Sequence, residues 1–343
     1  MAGRGLMAGI AVFSVAGGLV LASNFRDQRV KFREEINLKI EEPLTKNGLF
    51  SSVGFKNDKA WEFGVAPGES LKIKAIASDY FGTRDEKLLE QMVGDMNKGR
   101  FIVFKEYNKD SDGVNLKCVF LSPKVPYWEA LTDIAGIEKL FYVYNFSLPL
   151  GGKGPDENWV LLQTEGKYLG FSKSVNVPVH FTEDQPNRIL YFKISTQQDA
   201  IEMANKLPSK PGRTSLQDRF IDLCRQNAWF KEKDASGKYV VSDKDILELL
   251  EKNILHKDAK CDVYASDGRW RIEENVSAKY LVVTYSLKTQ VNIQAFIPPN
   301  IPLLGSMFKK IAQQVSDEVS AKYMPLSMKN FRDHTVEWAK EPR

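Results

Sequence analysis

Cysteine, histidine and glycine-rich nucleotide loops are what this sequence has least of. Its 343 residues include three cysteines, Cys118, Cys224 and Cys261, far apart and odd in number. They cannot form a disulfide framework and include no Cys-x-x-Cys pair, which fits a reducing compartment. Each reads as a small buried apolar residue. The three histidines, His180, His256 and His334, show no zinc-ligand spacing and no His-Glu-x-x-His. They read as structural or solvated, with His256 placed to complement a helix C-terminus. A Gly-x-x-x-x-Gly-Lys-Ser/Thr loop, a Gly-x-Ser-x-Gly elbow and the kinase motif set are missing. The sequence therefore nominates no catalytic, cofactor-binding or metal-binding residue, and the expectation is a protein that is not an enzyme. Paired acids drawn from distant segments stay open, because adjacent ones such as Glu273 and Glu274 point to opposite faces of a strand.

Two local patterns come close to a motif and fail. Asn108, Asp110, Asp112 and Gly113 match the start of a calcium loop, but Val119 stands where the bidentate glutamate is required. They read as a hairpin turn. "GGKG" (Gly151 to Gly154) lacks the strand-to-helix setting of a phosphate loop and reads as a connector.

Charge of one sign is also lacking in excess. Lys plus Arg number 48 against 44 Asp plus Glu, a formal net charge of +4, with no basic block beyond Arg26, Arg29, Lys31 and Arg33. Nucleic acid is not an expected partner, and a winged helix built from helices near 215 and 243 fits poorly with this balance. With 43% apolar and 27% charged residues, the chain is a folded protein of one large or two ordinary domains.

What is present begins with an uncharged run of 21 residues, Gly5 to Phe25. As a helix it would span about 31 Å, the thickness of a bilayer core. A retained anchor and a cleaved export signal, cut near Ala22 or Ser23, both fit that length. Ten of the 21 residues are Gly, Ala or Ser. Gly5 and Gly9, with Ser14, Gly18 and Ala22, recur at four-residue spacing as in helices that pack closely in lipid. This seam favours an anchor over residues 1–25. The basic residues after it place the main domain on the cytoplasmic, matrix or stromal side, an organelle inner membrane being the expected setting. Phe32, Ile36 and Ile40 fall four apart, so a helical stalk is expected to continue toward Pro43 within a juxtamembrane segment 26–54.

Beyond it the pattern is α+β with a largely antiparallel sheet. Thr83 with Glu86 makes a capping-box pattern ahead of Leu88, Leu89, Met92, Val93 and Met96. "FIVFKEY" and "VNLKCVFL" predict a hairpin, and strands follow at "LFYVYNFSL", "NWVLLQ", "KYLGF", "VNVPVHF" and "RILYFKI". A short helix carries Ile201, Ala204 and Leu207. "LPSKPGRTS" is the linker candidate, dividing an α+β domain at 55–207 from a second at 208–325. Ser215 with Asp218 and Ser242 with Asp245 open two further helices. "GRWRIEE" and "KYLVVTYSL" predict paired strands, a last helix is expected from Leu303 to Tyr323, and 326–343 reads as a tail.

The stretch Gly268 to Tyr323 resembles the closing segment of START-like (SRPBCC) helix-grip domains. Gly268, Trp270, Thr284, Tyr285, Pro298, Pro299 and Pro302 stand at the corresponding places. The resemblance covers about 55 residues. It implies a long helix lying across a curved antiparallel sheet, with a lipid or other apolar ligand held between them. The two capped helices between 215 and 256 depart from that pattern. On this resemblance Trp270, Tyr285, Phe296, Ile297 and Phe308 are candidates for contact with an apolar ligand or the membrane surface.

Two functions from different classes follow as expectations. The first is a non-catalytic, membrane-anchored accessory or assembly subunit of a larger complex, with other membrane subunits as partners. The alternative is a tethered lipid-binding or lipid-transfer protein, with lipid as partner. A secreted or periplasmic protein with its signal removed is the third.

Overall fold

The computed structural model describes residues 39–56, 61–108, 113–134, 144–154, 157–168, 171–194, 197–207, 215–251, 263–291 and 324–340. Their framework is one ten-stranded sheet: β1 (Lys39–Pro43), β2 (Phe50–Phe55), β3 (Phe101–Asn108), β4 (Gly113–Pro123), β5 (Tyr144–Gly154), β6 (Glu157–Tyr168), β7 (Phe171–Asp184), β8 (Ile189–Ile194), β9 (Val263–Glu273) and β10 (Tyr280–Val291). Its order is β1-β2-β3-β4-β10-β9-β8-β7-β6-β5. Every pairing between these strands is antiparallel. After β4 the chain moves to the far edge and returns strand by strand until β10 closes against β4. The α+β reading with an antiparallel sheet holds. The sheet runs without interruption across the segments on either side of the linker candidate, β8 pairing directly with β9.

Seven α-helices are described: α1 (Pro67–Phe81), α2 (Glu86–Asn97), α3 (Tyr127–Thr132), α4 (Gln197–Asn205), α5 (Leu216–Gln226), α6 (Asp243–Leu250) and α7 (Met324–Trp338). The strand alternation divides them between two faces, since successive side chains point oppositely. On the inner face Phe101, Val103, Leu116, Cys118, Phe120, Trp270, Ile272, Leu281 and Val283 form a core with α3 and α7. On the outer face, α1 and α2 cover Ile102, Val119, Leu121, Tyr280 and Val282 at one end. At the other end α4, α5 and α6 cover Leu148, Leu150, Trp159 and Leu161. The outer faces of β8 and β9 lie between these two helical layers.

Several sequence expectations are met, and the hydrogen bonds show why. Ser215 and Ser242 cap α5 and α6, each accepting from the amide three residues on. β3 and β4 form the expected hairpin, and β9 pairs with β10 so that Trp270 stands opposite Tyr285. Gly151 to Gly154, read as a connector, belongs to β5, whose pairing with β6 is broken by register shifts there.

Other expectations need correction. The N-cap of α2 is Asp85, whose carboxylate accepts from Leu88 N at 3.1 Å, not Thr83, whose hydroxyl accepts from Asp85 N. Ile40, placed on a helical stalk by its four-residue spacing, lies in β1, and the end of that segment supplies β2. Strand pairing, which local periodicity does not register, decides the conformation there. The residues read as a tail form α7, most of which is buried. The anchor run, the seam of Gly5, Gly9, Ser14, Gly18 and Ala22, and the expected helix 303–323 lie outside the described residues. Among the described residues no helix is long and apolar enough to cross a membrane.

Candidate functional site

The inner face changes character along its length. Toward α7 its side chains are sealed: Trp270 is 4% exposed, and Phe120 and Phe331 are fully buried. Tyr107, Val177, Phe192, Tyr285 and Leu287 continue the same apolar cluster but are only partly buried. Their positions follow from the register. Leu116, Leu287, Gly268 and Phe192 form one row across β4, β10, β9 and β8. Cys118, Tyr285, Trp270 and Leu190 form the next.

Gly268 is the pivot of this arrangement. A Cβ there would lie 2.4 Å from Phe192 Cζ and 2.1 Å from the Ser286 carbonyl oxygen. The space above a missing side chain is thus occupied by the Phe192 ring, which reaches across β9 to stack on Tyr285 at 5.8 Å with 16° between planes. Tyr285 meets Trp270 at 4.6 Å, Trp270 meets Phe331 of α7 at 5.2 Å, and Phe331 meets Tyr127 of α3 edge-on at 4.7 Å. A line of aromatic rings thus runs from the half-open part of the face into the sealed core. The Gly-x-Trp pattern noted in the sequence has a physical basis: glycine admits a neighbour's ring and tryptophan anchors the helix.

Of the candidate contact residues, the structure brings Trp270 and Tyr285 together. Phe296, Ile297 and Phe308 lie outside the described residues. The alternation of "RILYFKI" places Leu190 and Phe192 on one face, and this was the available signal for Phe192, which the sequence reading did not nominate. Leu287, two residues beyond Tyr285, was legible in the same way.

The helix that grips the face is held by charge as well as by rings. Arg332 of α7 is fully buried. It donates through Nη1 to the Gly99 carbonyl at 2.8 Å and through Nε to Asp333 at 3.1 Å. Its guanidinium lies 4.7 Å from the centre of the Phe101 ring and 5.3 Å from that of Trp61. Lys329 donates to the same Asp333 at 2.8 Å. Such a cation is tolerable in a core only because hydrogen bonds, a carboxylate and ring faces replace its water.

Two titratable groups on this face are held in their neutral forms by burial. Burial pushes the Cys118 thiol up, against a weaker opposing pull from Arg332. Burial likewise raises the Tyr127 hydroxyl well above its ordinary value. A neutral thiol and a neutral phenol are poor nucleophiles. His180 lies on the other face of β7, stacked on Trp159 at 3.9 Å. Among the described residues no group of three His, Cys, Asp or Glu is arranged to hold a metal ion.

No protein-family model and no curated protein matches the chain. Among solved structures, human STARD10 is similar at 11% identity and a TM-score of 0.38, over 75% of this chain and 81% of that one. A STAR-related lipid transfer protein fragment from Xanthomonas axonopodis gives 11% and 0.38, over 69% of this chain and 93% of that one. The Zhui aromatase/cyclase from Streptomyces sp. R1128 gives 11% and 0.34, over 66% and 94%. These structures include members of the group that Gly268 to Tyr323 resembles in sequence. Scores of this size describe a likeness in outline.

Proposed function

We propose that the chain is a lipid-binding protein that holds an apolar ligand against the inner face of its sheet. The observation that carries this reading is the half-buried apolar row of Phe192, Tyr285 and Leu287, flanked by Val177 and Tyr107 and continuous with a sealed core. Ten strands spaced about 4.8 Å apart give a face about 43 Å across; among the described residues α3 and the 15-residue α7, about 22 Å along its axis, pack on it. An acyl chain or fused ring system laid along this row would bury apolar surface at about 25 cal/mol per Å². Tyr285 and Tyr107 place two phenol rings beside this row. Between the two leading expectations from sequence, this one has a face to act through. The accessory-subunit reading rests on the anchor run, which lies outside the described residues. If that run is retained, it would keep the binding face close to a membrane.

The test is binding of a fluorescent fatty-acyl probe to the full chain. Leu287→Asp sets a carboxylate in the row and should weaken the probe by about tenfold or more, the equivalent of losing one buried aliphatic contact. Tyr191→Ser, on the outer face of β8 and 40% exposed, should leave binding unchanged. Equal binding by all three proteins would remove the basis of the proposal.

A further inference from the structure

The strand that borders the apolar row carries a charge on its core side. Along "FIVFKEY" in β3, Phe101, Val103 and Tyr107 belong to the inner-face core, whereas Ile102 and Phe104 belong to the outer one. Alternation therefore sets Lys105 on the inner face, where it is half-buried, while its neighbour Glu106 is exposed. From Lys105 the register leads straight into the row. Lys105 stands opposite Leu116, Leu116 opposite Leu287, Leu287 opposite Gly268, and Gly268 opposite Phe192. Between β3 and β8 this line crosses four strand spacings, about 19 Å.

Lys105 is the charged member of a line that is otherwise apolar. Its inner-face neighbours on β3 and β4 are Val103, Tyr107, Val114, Leu116 and Cys118. Two acidic residues share this face by their pairing, Glu41 with Val53 and Glu183 with Leu190. They stand on β1 and β7, two and five strands from β3. A lysine turned toward a core gives up part of its hydration, and a carboxylate brought by a ligand restores it. An ammonium has three donors, so it serves a ligand carboxylate alongside an acceptor of the protein. Its single charge matches a carboxylate, whereas a phosphate ester favours the paired donors of a guanidinium, and the line contains no arginine. An acyl chain fills about 15 Å in one leaflet of a bilayer, half of its hydrocarbon core. Laid from Lys105, such a chain reaches along Leu287 to the Phe192 ring.

We propose that the ligand of the inner face is a long-chain carboxylic acid, bound as its carboxylate with the head on the Lys105 ammonium and the chain along Leu287 and Phe192. This rests on the reading of the inner face as a lipid-binding surface and adds the chemical class of the head group. Lys105 is then the residue that separates a free acid from a neutral lipid with the same chain.

The experiment uses the full chain and two radiolabelled probes of equal chain length, palmitate and hexadecanol, each below its aggregation concentration. The readout is the ratio of the two affinities, because only the head group differs. Lys105→Gln should lower the palmitate-to-hexadecanol ratio about tenfold or more, as expected for losing a hydrogen bond to a charged group. Lys105→Arg should keep the wild-type ratio, and so should Lys193→Gln, which is exposed on the outer face of β8. Circular dichroism of each variant verifies the fold. An inward charge that served only to block edge pairing would leave the ratio unchanged. An unchanged ratio in the folded Lys105→Gln protein, or a wild type that binds hexadecanol but not palmitate, overturns the role of Lys105 and leaves the lipid-binding reading standing. Binding of neither probe by wild type overturns both.

Discussion

Replacing Gly268 by alanine adds one methyl group where two neighbours already stand. The new carbon would lie 2.4 Å from Phe192 Cζ and 2.1 Å from the Ser286 carbonyl oxygen. The ring has little room to retreat, because it lies between Phe181 at 6.4 Å and Tyr285 at 5.8 Å. The carbonyl belongs to the β9–β10 ladder and moves only with it. Overpacking of this kind costs about 1–3 kcal/mol, and loss of the Phe192–Tyr285 stack adds about 0.5–1.5 kcal/mol. The reduced freedom of the unfolded chain returns about 0.4–1 kcal/mol, leaving a net loss of about 0.5–4 kcal/mol. The comparator is Gly94→Ala, an exposed mid-helix position in α2 where an added Cβ meets nothing within 4 Å. There the same chemical change should stabilise by about 1 kcal/mol through helix propensity. Urea unfolding followed by tryptophan fluorescence should therefore move the two midpoints in opposite directions. Adding Phe192→Leu to Gly268→Ala should recover the ring's share of the loss but not the carbonyl's, a coupling that a double-mutant cycle reads directly. A Gly268→Ala midpoint at or above that of Gly94→Ala would refute the assignment of Gly268 as the seat of Phe192.

Gly82 and Gly99 follow the ends of α1 and α2 with φ of 71° and 78°, but only at Gly99 does a Cβ meet another residue, Trp61 Cβ at 2.6 Å. Gly99→Ala should therefore be more destabilising than Gly82→Ala by about 1–3 kcal/mol, and equal thermal shifts would contradict the packing described. Arg332→Ala should cost about 3–5 kcal/mol by leaving a cavity and a buried Gly99 carbonyl without its donor. Arg332→Met, which restores the volume alone, should recover part of that in urea titrations, and a methionine variant no more stable than the alanine one would show that charge dominates. Glu69 accepts hydrogen bonds from Ala66 N at 3.0 Å and from the Tyr280 hydroxyl at 2.8 Å. The Ala66 amide, with Ser277 and Tyr280, holds its carboxyl below the ordinary value. A lowered folded pKa means stability that is present above the ordinary carboxylate range and lost as pH falls through the lowered value. Glu69→Gln should flatten that part of the acid-unfolding profile, and an unchanged profile would count against the linkage.

What was legible in the sequence is what local chemistry determines. Serine caps at Ser215 and Ser242 act through amides three residues away, and the alternation in "GRWRIEE" and "KYLVVTYSL" fixes which side chains share a face. What was illegible depends on partners far along the chain. Ile40 carries a helix-like spacing, yet β2 captures its backbone as a strand. Pro67–Phe81 forms α1 without a polar N-cap side chain, its first turn tied instead by Glu69 reaching back to Ala66 N, so the only start signals were Pro67 at the first helical position and Glu69 in the first turn. Arg332 and Asp333 look like a polar tail because nothing local announces that Gly99, 233 residues away in sequence, will accept one of their hydrogen bonds. Phe192 had no partner in the sequence reading, since its neighbour Gly268 is informative only once β8 lies beside β9.

The division of labour between the two faces of the sheet follows from where helices are available to cover it. Strand alternation gives every strand two faces, and a face left without a helix must be either polar or filled by something else. On the outer side of β8 and β9 the sequence takes the polar course: Tyr191, Lys193 and Asp267 are exposed and Arg269 is half-buried, so water satisfies that surface. The inner side of the same strands takes the other course. Leu190, Phe192 and Trp270 continue the apolar core into positions where Phe192, Tyr285 and Leu287 remain half-buried. A sequence selected only for solubility would place polar side chains at those positions as it does one residue away on the same strands. That Phe192 lies between exposed Tyr191 and Lys193 shows that the strand accommodates polar side chains readily. Its apolar inner face is accordingly the feature on which the proposed lipid binding rests.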